Sequence, residues 1–507
     1  HAIFKEASQE LRTMLEEWIP LFFAQVPKVK RLALDIEVYS PEPEHVPDPR
    51  EANYPIIAVS LVSTDGLRKV LVLERADVKR GERPEYMDPD VEVEFFKDER
   101  ELILATLETI IQYPVLLTYN GDDFDLRYIW NRAKKLGISQ DQIPFTREKD
   151  YIDLVTGVHV DLYKFFENRS IQVYAFSNRY KEVTLDAISQ ALLGIGKVKR
   201  LTAISELSLY ELAAYCFRDA RLTLELTTFD DDLVMKLIVL LMRITKLSIN
   251  EVTRTQVSTW IRNLVYYEHR RLNYLIPNKE DILQKKGGTA TKAIIKGKKY
   301  KGAIVIQPKV GVHFNVVVLD FASLYPSIIS RWNLSYDTVR CPHPECRKNE
   351  VPGTPHWVCS KRKGILSQII WLLRDVRVYW FKPKSRDRSL PEDQRNLFSV
   401  VQQALKVILN ASYGVFGAEE FPLYCPPVAE STTAIGRYVI TKTTEKAKEI
   451  GLEVLYGDTD SVFIRDPDPE KLKVLMEWSS KELGIDLDID KKYRYVTFSG
   501  LKKNYLG

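Results

Sequence analysis

Residues 453–464 read Glu-Val-Leu-Tyr-Gly-Asp-Thr-Asp-Ser-Val-Phe-Ile, an apolar run followed by a turn and a second apolar run. This pattern predicts a β-hairpin whose tip carries Asp458 and Asp460. A Gly-Asp-Thr-Asp sequence is also ordinary turn chemistry, so the tip alone does not decide between a structural and a functional role. The apolar strands on both sides argue against a merely solvated turn.

A third acid is expected to join this tip. Residues 315–319 read Asn-Val-Val-Val-Leu and predict a short buried strand that ends at Asp320. Asp458 and Asp460 are two positions apart in an extended segment and share a face, and Asp320 could meet them from a neighbouring strand. Three converging carboxylates form a candidate site for two divalent cations.

A separate set of acids lies in the first half of the chain. Residues 29–38 predict a largely apolar strand that carries Asp35 and Glu37 on one face, about 6–7 Å apart along the chain. Buried strands do not usually hold unpaired acids. One divalent ion could bridge the two carboxylates.

Two more acids complete this set. Asp125 ends a turn, Asn120-Gly-Asp-Asp-Phe-Asp, and Asp219 lies on the predicted helix 207–228, four residues after Tyr215. Each acid alone is more simply explained as solvated or ion-paired, since acids are mostly exposed. Four acids from strand, turn and helix are together the ligand set with which two hard cations clamp a phosphodiester for hydrolysis. Tyr215 could then orient the attacking water.

The composition is that of a large folded protein. With 507 residues, the chain is expected to form about three to four domains. Hydrophobic residues make up 45% and charged residues 28%, which excludes a disordered or fibrous protein. The longest apolar stretch, residues 233–244, contains Lys236 and Arg243 and is too short for a membrane span. The net charge of +4 is too small to indicate a nucleic-acid partner, and five cysteines without a secretory signal indicate a reducing cytoplasm.

Secondary-structure patterns differ between the two halves. Strands alternating with helices, such as the predicted helix 99–112, indicate an α/β domain over roughly the first 200 residues. The leucine-rich segment 233–272 is expected to form two helices, and the lysine-rich segment 285–301 to form a basic loop. Residues 365–382 and 393–410 predict an antiparallel helical hairpin.

Six motifs, in order along residues 35–461, resemble those of family B DNA polymerases. The segments similar to the three polymerase motifs are Asp320-Phe-Ala-Ser-Leu-Tyr-Pro-Ser-Ile-Ile, Lys406-x3-Asn410-Ala-Ser-Tyr-Gly and Tyr456-Gly-Asp-Thr-Asp-Ser. The segments similar to the three proofreading exonuclease motifs are Asp35-Ile-Glu37, Asn120-x4-Asp125 and Tyr215-x3-Asp219. The general character is most similar to thermophilic archaeal, crenarchaeal replicative members with a 3′–5′ proofreading exonuclease. The resemblance implies a cytoplasmic, nucleoid-associated enzyme.

The resemblance implies two Mg²⁺ ions at each active site, where Mn²⁺ could substitute. It implies that Asp320 and Asp460 bind the ions of the polymerase site, with Asp458 in a supporting role. It also implies that nucleotide contacts come from four residues, namely Tyr325, Arg377, Lys406 and Asn410. Tyr325 would fill the space of a 2′-hydroxyl and so select deoxyribose. Without the resemblance, a lysine on a helix face would be taken as solvated.

Contacts to DNA are also implied by the resemblance. Tyr413 and Gly414 would lie near the nascent base pair, where a small residue lets the backbone approach. Tyr300-Lys-Gly302-Ala resembles a Tyr-x-Gly-Gly segment that partitions the primer between the two sites, although Ala303 replaces the last glycine. Lys502-Lys503-Asn-Tyr505 resembles a basic motif that holds the primer-template duplex by its phosphates. A Lys-Lys pair alone is usually surface charge.

The family's architecture implies an α/β plus α+β multidomain fold. We expect an RNase H-like exonuclease domain, then a polymerase palm interrupted by a helical-hairpin fingers insertion. The expected ranges are a remnant of an N-terminal domain at 1–28, the exonuclease at 29–230, a helical linker at 231–300, palm at 301–364 and 405–507, and fingers at 365–404. The chain is expected to be truncated at both ends and to lack a thumb. The implied partners are primer-template DNA, a deoxynucleoside triphosphate, a sliding clamp and accessory subunits, and no membrane.

Three cysteines cluster in the turn-rich region 336–364. Cys341, Cys346 and Cys359, with His343 and His356, could bind zinc, but the spacings Cys-x4-Cys and His-x2-Cys differ from the usual pairs. Thermophilic archaeal relatives carry a disulfide in this region, so a disulfide involving Cys359 is a second possibility. Free thiols are the third, and the sequence leaves all three open.

Other functions are also consistent with parts of the sequence. The second half could only grip substrate for an RNase H-like nuclease, but acids facing phosphates, such as Asp320, argue against this. A DNA-binding or assembly subunit with decayed sites is disfavoured because all seven core acids are intact. A reverse transcriptase or an RNA polymerase is a further alternative, and Tyr325 argues for deoxynucleotides as the substrate.

Overall fold

The computed structural model describes residues 9–42, 46–198, 202–288, 305–501 and 503–507. The chain divides into two compact units. One unit is Phe23–Gln256, and the other is Val257–Gly507 together with the segment that ends at Phe22. Among the described residues, no helix combines the length and the apolar character that a membrane crossing requires.

The described strands form one larger sheet in each unit, and a small two-stranded sheet in the unit Phe23–Gln256. Those of the unit Phe23–Gln256 are β1 (Arg31–Val38), β2 (Ile56–Ser63), β3 (Arg68–Leu73), β4 (Glu92–Phe96), β5 (Val115–Thr118), β6 (Phe145–Arg147), β7 (Ile152–Leu154) and β8 (Val158–Asp161). Those of the other unit are β9 (Val305–Ile306), β10 (Gly311–Phe321), β11 (Glu453–Asp458), β12 (Ser461–Arg465), β13 (Leu487–Phe498) and β14 (Tyr505–Leu506).

The helices are distributed over both units. They are α1 (Gln9–Phe23), α2 (Glu99–Ile110), α3 (Asp125–Lys135), α4 (Leu162–Glu167), α5 (Leu185–Leu193), α6 (Leu209–Thr245), α7 (Ile249–Arg254), α8 (Val257–Arg271), α9 (Lys279–Lys286), α10 (Leu324–Arg331), α11 (Ile365–Asp375), α12 (Lys382–Lys384), α13 (Glu392–Val415), α14 (Pro426–Glu449) and α15 (Pro469–Trp478).

The sheet of the unit Phe23–Gln256 has the order β4-β3-β2-β1-β5-β8. Its centre is antiparallel, from β1 to β3, and β5 and β8 are added in parallel. Every residue of β2 is buried, as expected for a strand covered on both faces. The helix α6 packs on β1 and β2 and brings Asp219 to the acids of β1.

The other sheet has the order β14-β13-β10-β12-β11-β9. β10 lies between β12 and β13 and is antiparallel to both. β11 and β12 form the hairpin predicted from residues 453–464, with Asp458 paired to Ser461. The sheet therefore places the end of β10 beside the hairpin tip.

The predicted helical hairpin is confirmed. The first helix continues from α11 through a π-helical segment, Val376–Phe381, into α12. Arg377 Nε donates to the Gln402 carbonyl, and the Phe381 and Phe398 rings lie 5.6 Å apart. As the first helix advances from Arg377 to Phe381, the contact on α13 moves back from Gln402 to Phe398. The two helices therefore run antiparallel.

Two expectations need correction. The segment 233–272 forms three helical stretches instead of two, because a Ser248–Glu251 capping box starts α7 between the end of α6 and α8. In the expected basic loop 285–301, Lys285 and Lys286 instead form the last turn of α9. Residues 289–301 of that loop, including Tyr300, lie outside the described residues, as does Gly302.

Candidate active sites

The first acid cluster forms between β1 and α6. The ligand atoms of Asp35, Glu37 and Asp219 all lie within 4.8 Å of one another. Asp35 and Glu37 share a face because side chains two residues apart in a strand point the same way. Asp219 reaches them from α6, and Tyr215 precedes it by one helical turn. The predicted convergence of these three carboxylates is therefore observed.

Asp125 joins the cluster from a turn that other polar groups hold in shape. The carboxylate of Asp161 accepts hydrogen bonds from the backbone N–H groups of Asn120, at 2.8 Å, and Asp122, at 3.1 Å. Asn120 has a φ of 73°, in the left-handed region that asparagine tolerates. α3 then begins at Asp125, whose Oδ1 accepts the N–H of Ile36 at 3.2 Å. This bond fixes the fourth acid beside the strand that carries Asp35 and Glu37.

Burial and neighbouring negative charges raise the pKa of acids in this cluster. The pKa of Asp35 lies well above its usual value because of lost hydration and the charges of Asp219 and Asp125, although part of the side chain faces solvent. Burial raises the pKa of Asp125 to about 7. The fold holds these carboxylate oxygens together although they repel one another. Such oxygens are the ligands that hard divalent cations prefer. The donor set therefore fits such ions.

Lys197 is a member of this site that the sequence analysis missed. Its Nζ lies 2.6 Å from Asp219 Oδ2. Burial alone would lower the pKa of Lys197, but Asp219 and Asp35 outweigh it and raise the pKa, and Tyr215 adds to the effect. The lysine lies 22 residues before its partner, so no local spacing indicates the contact.

The second acid cluster lies at the end of β10. Asp320 pairs with Ser461 of β12, and the N–H of Phe321 donates to the Asp460 carbonyl at 2.9 Å. Thr459, at the tip, has a φ of 51°, which is unusual for a β-branched residue. Such strain is found where the surrounding structure and function over-determine a turn. The expected meeting of Asp320 with the hairpin tip is therefore observed.

The carboxylates of this second cluster are more widely spread. Among the described residues, Asp320, Asp458 and Asp460 are not one of the groups whose ligand atoms all lie within 4.8 Å of one another. Asp458 instead forms an ion pair with Lys503, at 3.1 Å. Burial, followed by the charges of Asp460 and Asp490, raises the pKa of Asp320 to about 7. Burial and Asp458 likewise raise the pKa of Asp460.

Two acids beside Asp320 were also missed. β13 pairs Asp488 with Asp320, and Asp490 follows two residues later. Both raise the pKa of Asp320. Their spacing in Ile485-Asp-Leu-Asp-Ile-Asp is the period of two that a strand with one acidic face would show, so the signal was present in the sequence.

A group of cations lies near the second cluster. Burial and the charges of Arg374 and Arg386 lower the pKa of Arg377 to about 10. Burial also lowers the pKa of Lys406, and Arg377 and Lys382 lower it further. Arg377 and Lys406 were predicted from the sequence, whereas Lys382 and Arg386 were not. Cations that lower one another's pKa form a site for an anion with several charges.

The other predicted nucleotide contacts lie on α10 and α13. The Tyr325 and Tyr413 rings stack with centroids 4.4 Å apart and planes 25° apart. An ideal Cβ on Gly436 of α14 would lie 3.3 Å from the Tyr325 ring, so this glycine leaves room for the tyrosine. Asn410 is half-buried on α13, one turn after Lys406.

Some of the residues predicted to contact DNA lie in the described part of the chain. Gly414 is exposed, and no described heavy atom lies within 4 Å of an ideal Cβ there. The N–H of Lys503 donates to the Tyr456 hydroxyl at 3.0 Å, and Tyr505 packs its ring on Phe463 at 5.1 Å. Lys503 thus links the predicted basic motif to the acidic tip. Lys502, like Tyr300 and Gly302, lies outside the described residues.

The structure contains no disulfide among the three cysteines of region 336–364. Cys341, Cys346 and Cys359 are all free thiols in the structure. His356, one of the two histidines considered with them, contacts Arg340 at 3.0 Å and Glu430 at 2.7 Å. It is therefore not part of the cysteine cluster.

Comparison with known proteins gives consistent matches for both units. Residues 247–477 match the family model described as DNA polymerase family B, and residues 6–181 match that of the exonuclease domain of DNA polymerase family B. The chain is 53% identical to DNA polymerase 1 of Sulfurisphaera ohwakuensis over 99% of its own length and 58% of that protein's. It is 51% identical to DNA polymerase 1 of Saccharolobus solfataricus, over 99% of the chain and 57% of the relative. The chain thus spans little more than half the length of these relatives.

A solved structure is similar to most of the chain. The family B DNA polymerase from the hyperthermophilic archaeon Pyrobaculum calidifontis matches with a TM-score of 0.67 and 26% sequence identity. The match covers 94% of this chain and 58% of that one.

Asp125→Asn is expected to stabilise the metal-free chain at neutral and higher pH. The folded carboxyl has a pKa of about 7 and an ordinary value of 3.8, so between these values the folded state keeps a proton that the unfolded state has lost. Folding stability therefore falls as the pH rises through this window. The variant should gain about 2–4 kcal/mol in free energy of unfolding at about pH 8 and nothing near pH 4, measured by urea titration with a chelator present.

Asp122→Asn, three residues earlier, is the matched control. Burial opposes the charge of Asp122, but His159 and Arg254 outweigh it and hold its pKa below the usual value. Its carboxylate therefore stabilises the fold above the ordinary pKa, and that contribution is lost as the pH falls. The control should lose stability at about pH 8. If Asp125→Asn also lost stability there, the cost assigned to burying the Asp125 carboxylate would be wrong.

Proposed function

The chain belongs to DNA polymerase family B, and we propose that it extends a DNA primer along a template and removes mispaired nucleotides from the primer 3′ end. The observation that carries the proposal is that each unit has its own acid cluster, built on β1 and α6 in one and on β10 and the β11–β12 hairpin in the other. Two clusters of this chemistry fit two phosphoryl-transfer reactions.

We also propose a division of the chain into domains, which goes beyond the family assignment. We infer an RNase H-like exonuclease domain in 29–230, supported by the mixed sheet that α6 covers. The palm would comprise 301–364 and 405–507, with fingers at 365–404, which the antiparallel hairpin of α11 to α13 supports. Residues 1–28 and 231–300 keep their proposed assignments as a remnant of an N-terminal domain and a helical linker.

In the proposed synthesis reaction, the primer 3′-hydroxyl attacks the α-phosphorus of a deoxynucleoside triphosphate, and pyrophosphate leaves. Asp320, Asp458 and Asp460 would hold the ions, with Asp488 and Asp490 adding negative charge beside them. Members of the family use divalent metal ions, and we propose two Mg²⁺, for which Mn²⁺ could substitute. When bound, these ions would lower the pKa of the hydroxyl and stabilise the charge on the leaving group.

The cations around Arg377 would bind the triphosphate. Arg377 Nη1 donates to Ser323 Oγ at 2.9 Å, and its Nε donates to the Gln402 carbonyl, so its guanidinium is held from both sides. Lys382, Arg386 and Lys406 share its surroundings. Donors in fixed positions suit the transition state because they need no reorganisation as charge moves along the phosphates.

In the proposed trimming reaction, Asp35, Glu37, Asp125 and Asp219 would hold the ions, again two Mg²⁺. Tyr215 would orient the attacking water, and Lys197 would keep Asp219 in place and reduce repulsion among the acids. A mispaired primer end melts more easily and would therefore reach this site more often.

The proposed partners are primer-template DNA and a deoxynucleoside triphosphate. Tyr413 and Gly414 would contact the nascent base pair, and Lys503 and Tyr505 the duplex. A sliding clamp, accessory subunits and a cytoplasmic, nucleoid-associated location remain predictions from the family resemblance. Deoxynucleotide selection by Tyr325 is the reason to prefer this function over that of an RNA polymerase.

Asp460→Ala is expected to reduce the rate of primer extension by at least roughly 100-fold, while 3′-end trimming survives. Asp35→Ala should do the reverse. Both are measured on a mismatched primer with a labelled 5′ end, with magnesium, in the presence and absence of deoxynucleotides. Loss of both activities in Asp460→Ala would favour a nuclease whose second half only grips DNA. Full retention of both would exclude the proposed sites.

Tyr325→Ala is expected to increase ribonucleotide incorporation by about 10-fold or more relative to deoxynucleotides, because it removes the ring proposed to occupy the space of a 2′-hydroxyl. The measurement is the ratio of kcat/KM for a ribonucleotide and its deoxy analogue. Tyr325→Phe is the control, since it keeps the ring and its stacking on Tyr413. Unchanged selectivity in Tyr325→Ala would refute the steric role.

Gly414→Ala separates folding from DNA binding. The described residues leave room for a Cβ at this helical position, and alanine favours a helix by about 1 kcal/mol over glycine. The Tm should therefore stay the same or rise, while the KM for primer-template rises several-fold because the added methyl blocks close approach. Exonuclease trimming of single strands serves as the internal control. An unchanged KM would show that DNA does not approach at Gly414.

A further inference from the structure

Four sulfur and nitrogen ligands meet in the region that precedes α11. The Sγ atoms of Cys341, Cys346 and Cys359 and a ring nitrogen of His343 all lie within 4.8 Å of one another. Cys359 Sγ lies 3.5 Å from His343 Nδ1. Ligands of a tetrahedral zinc ion, with bonds of about 2.3 Å to sulfur and 2.0 Å to nitrogen, are about 3.5–3.8 Å apart. The cluster is already close to that spacing.

The backbone brings these four side chains together from two segments. Cys341, His343 and Cys346 lie on one loop, in which the N–H of Cys346 donates to the His343 carbonyl at 3.1 Å. Cys359 comes from a returning segment that forms an antiparallel bridge between Val339 and Val358. The fourth ligand is therefore placed by backbone pairing and needs no contact among the thiols to reach the loop.

The surroundings of the Cys346 sulfur suit a thiolate. The N–H of Ser360 donates to Cys346 Sγ at 3.4 Å, and the Ser360 hydroxyl lies at the same distance. Trp357 packs on the three cysteines, and its Nε1 donates to the Cys341 carbonyl at 3.0 Å. Hydrogen bonds of this kind orient ligands and stabilise their charge in metal sites. The three cysteines are at most 2% exposed, so the site is also shielded from water.

We propose that Cys341, His343, Cys346 and Cys359 bind one Zn²⁺ in a closed structural site. Three thiolates and one imidazole form a complete tetrahedral set and select a soft ion such as Zn²⁺ over Mg²⁺. On binding, the three thiols release their protons to solvent and the histidine stays neutral. No ligand position remains for water or substrate, so the ion would have no catalytic role.

The site would fix the start of α11. The Cys359 carbonyl accepts a hydrogen bond from Asn333 Nδ2 at 3.0 Å, and Asn333 Oδ1 accepts the N–H of Gly364 at 2.8 Å. Gly364 is the residue that immediately precedes α11. A zinc ion would therefore tie the loop, through Asn333, to the helix that leads to Arg377.

The first test is the metal content of the whole purified chain, expressed with zinc and freed of loosely bound metal. Plasma mass spectrometry should find about one zinc per chain, falling at least tenfold in Cys359→Ser and in His343→Ala. Cys425→Ser is the matched control, because Cys425 is another buried free thiol of the same unit outside the cluster. His343→Cys should retain zinc, since four thiolates also form a closed site.

A second measurement does not depend on the folding of variants. The unsubstituted chain, stripped of zinc and titrated with Co²⁺, should develop thiolate-to-cobalt charge-transfer bands that saturate at about one equivalent, and Zn²⁺ should abolish them. A chain without zinc and without these bands would overturn the proposal. So would intact-mass analysis showing a disulfide between two of the three cysteines in the zinc-supplied chain, or equal zinc in Cys359→Ser and the unsubstituted chain.

Discussion

Repulsion among carboxylates that have lost part of their hydration is the constraint on which both candidate sites depend. In each unit the backbone, and not the acids themselves, holds the charges together: the pleat of β1 fixes Asp35 and Glu37, and the pairing of β10 with β12 fixes Asp320 beside the hairpin tip. The raised pKa values of Asp35, Asp125 and Asp320 express first this loss of hydration and then the negative charges of neighbouring acids. A fold that gathers acids at the expense of its own stability is expected where a cation or substrate completes the site.

The two clusters relieve their repulsion in different ways. In the first, Lys197 contacts Asp219 inside a tight group, and the acids can remain within 4.8 Å of one another. In the second, Lys503 contacts Asp458 at the hairpin tip, and the three acids are more widely spread. Asp320 and Asp458 lie at the ends of β10 and β11, whereas Asp460 lies in the turn of the hairpin, directly after the left-handed Thr459.

The parts of the structure that the sequence predicted are those set by local periodicity. Asp35 and Glu37 must share a face because a strand has a period of two, and the hairpin at 453–464 follows from apolar runs around a turn. Lys197 and Lys382 could not be found this way, because their proximity to Asp219 and Asp320 depends on how distant elements pack. The sequence also could not show that His343, and not His356, joins the three cysteines, because only packing shows that His356 faces Glu430. The extra helix boundary at Ser248–Glu251 was predictable in principle, because a capping box is a local signal.

The electrostatics around Lys382 connect the acids of the second site to the cations beside it. Asp320 and Asp488 raise the pKa of Lys382, whereas burial, Arg377 and Arg386 lower it, with a net lowering. Lys382 therefore lies between two groups of opposite charge. The acids on one side carry more negative charge than their cations neutralise, and the cations on the other side carry more positive charge than their acids neutralise. Neither group can neutralise the other fully, because the backbone of β10 holds Asp320 and hydrogen bonds to Ser323 and Gln402 hold Arg377. A ligand that carries both signs, such as a triphosphate with its divalent cation, would satisfy both groups at once, and a bare phosphate or a bare cation would satisfy only one.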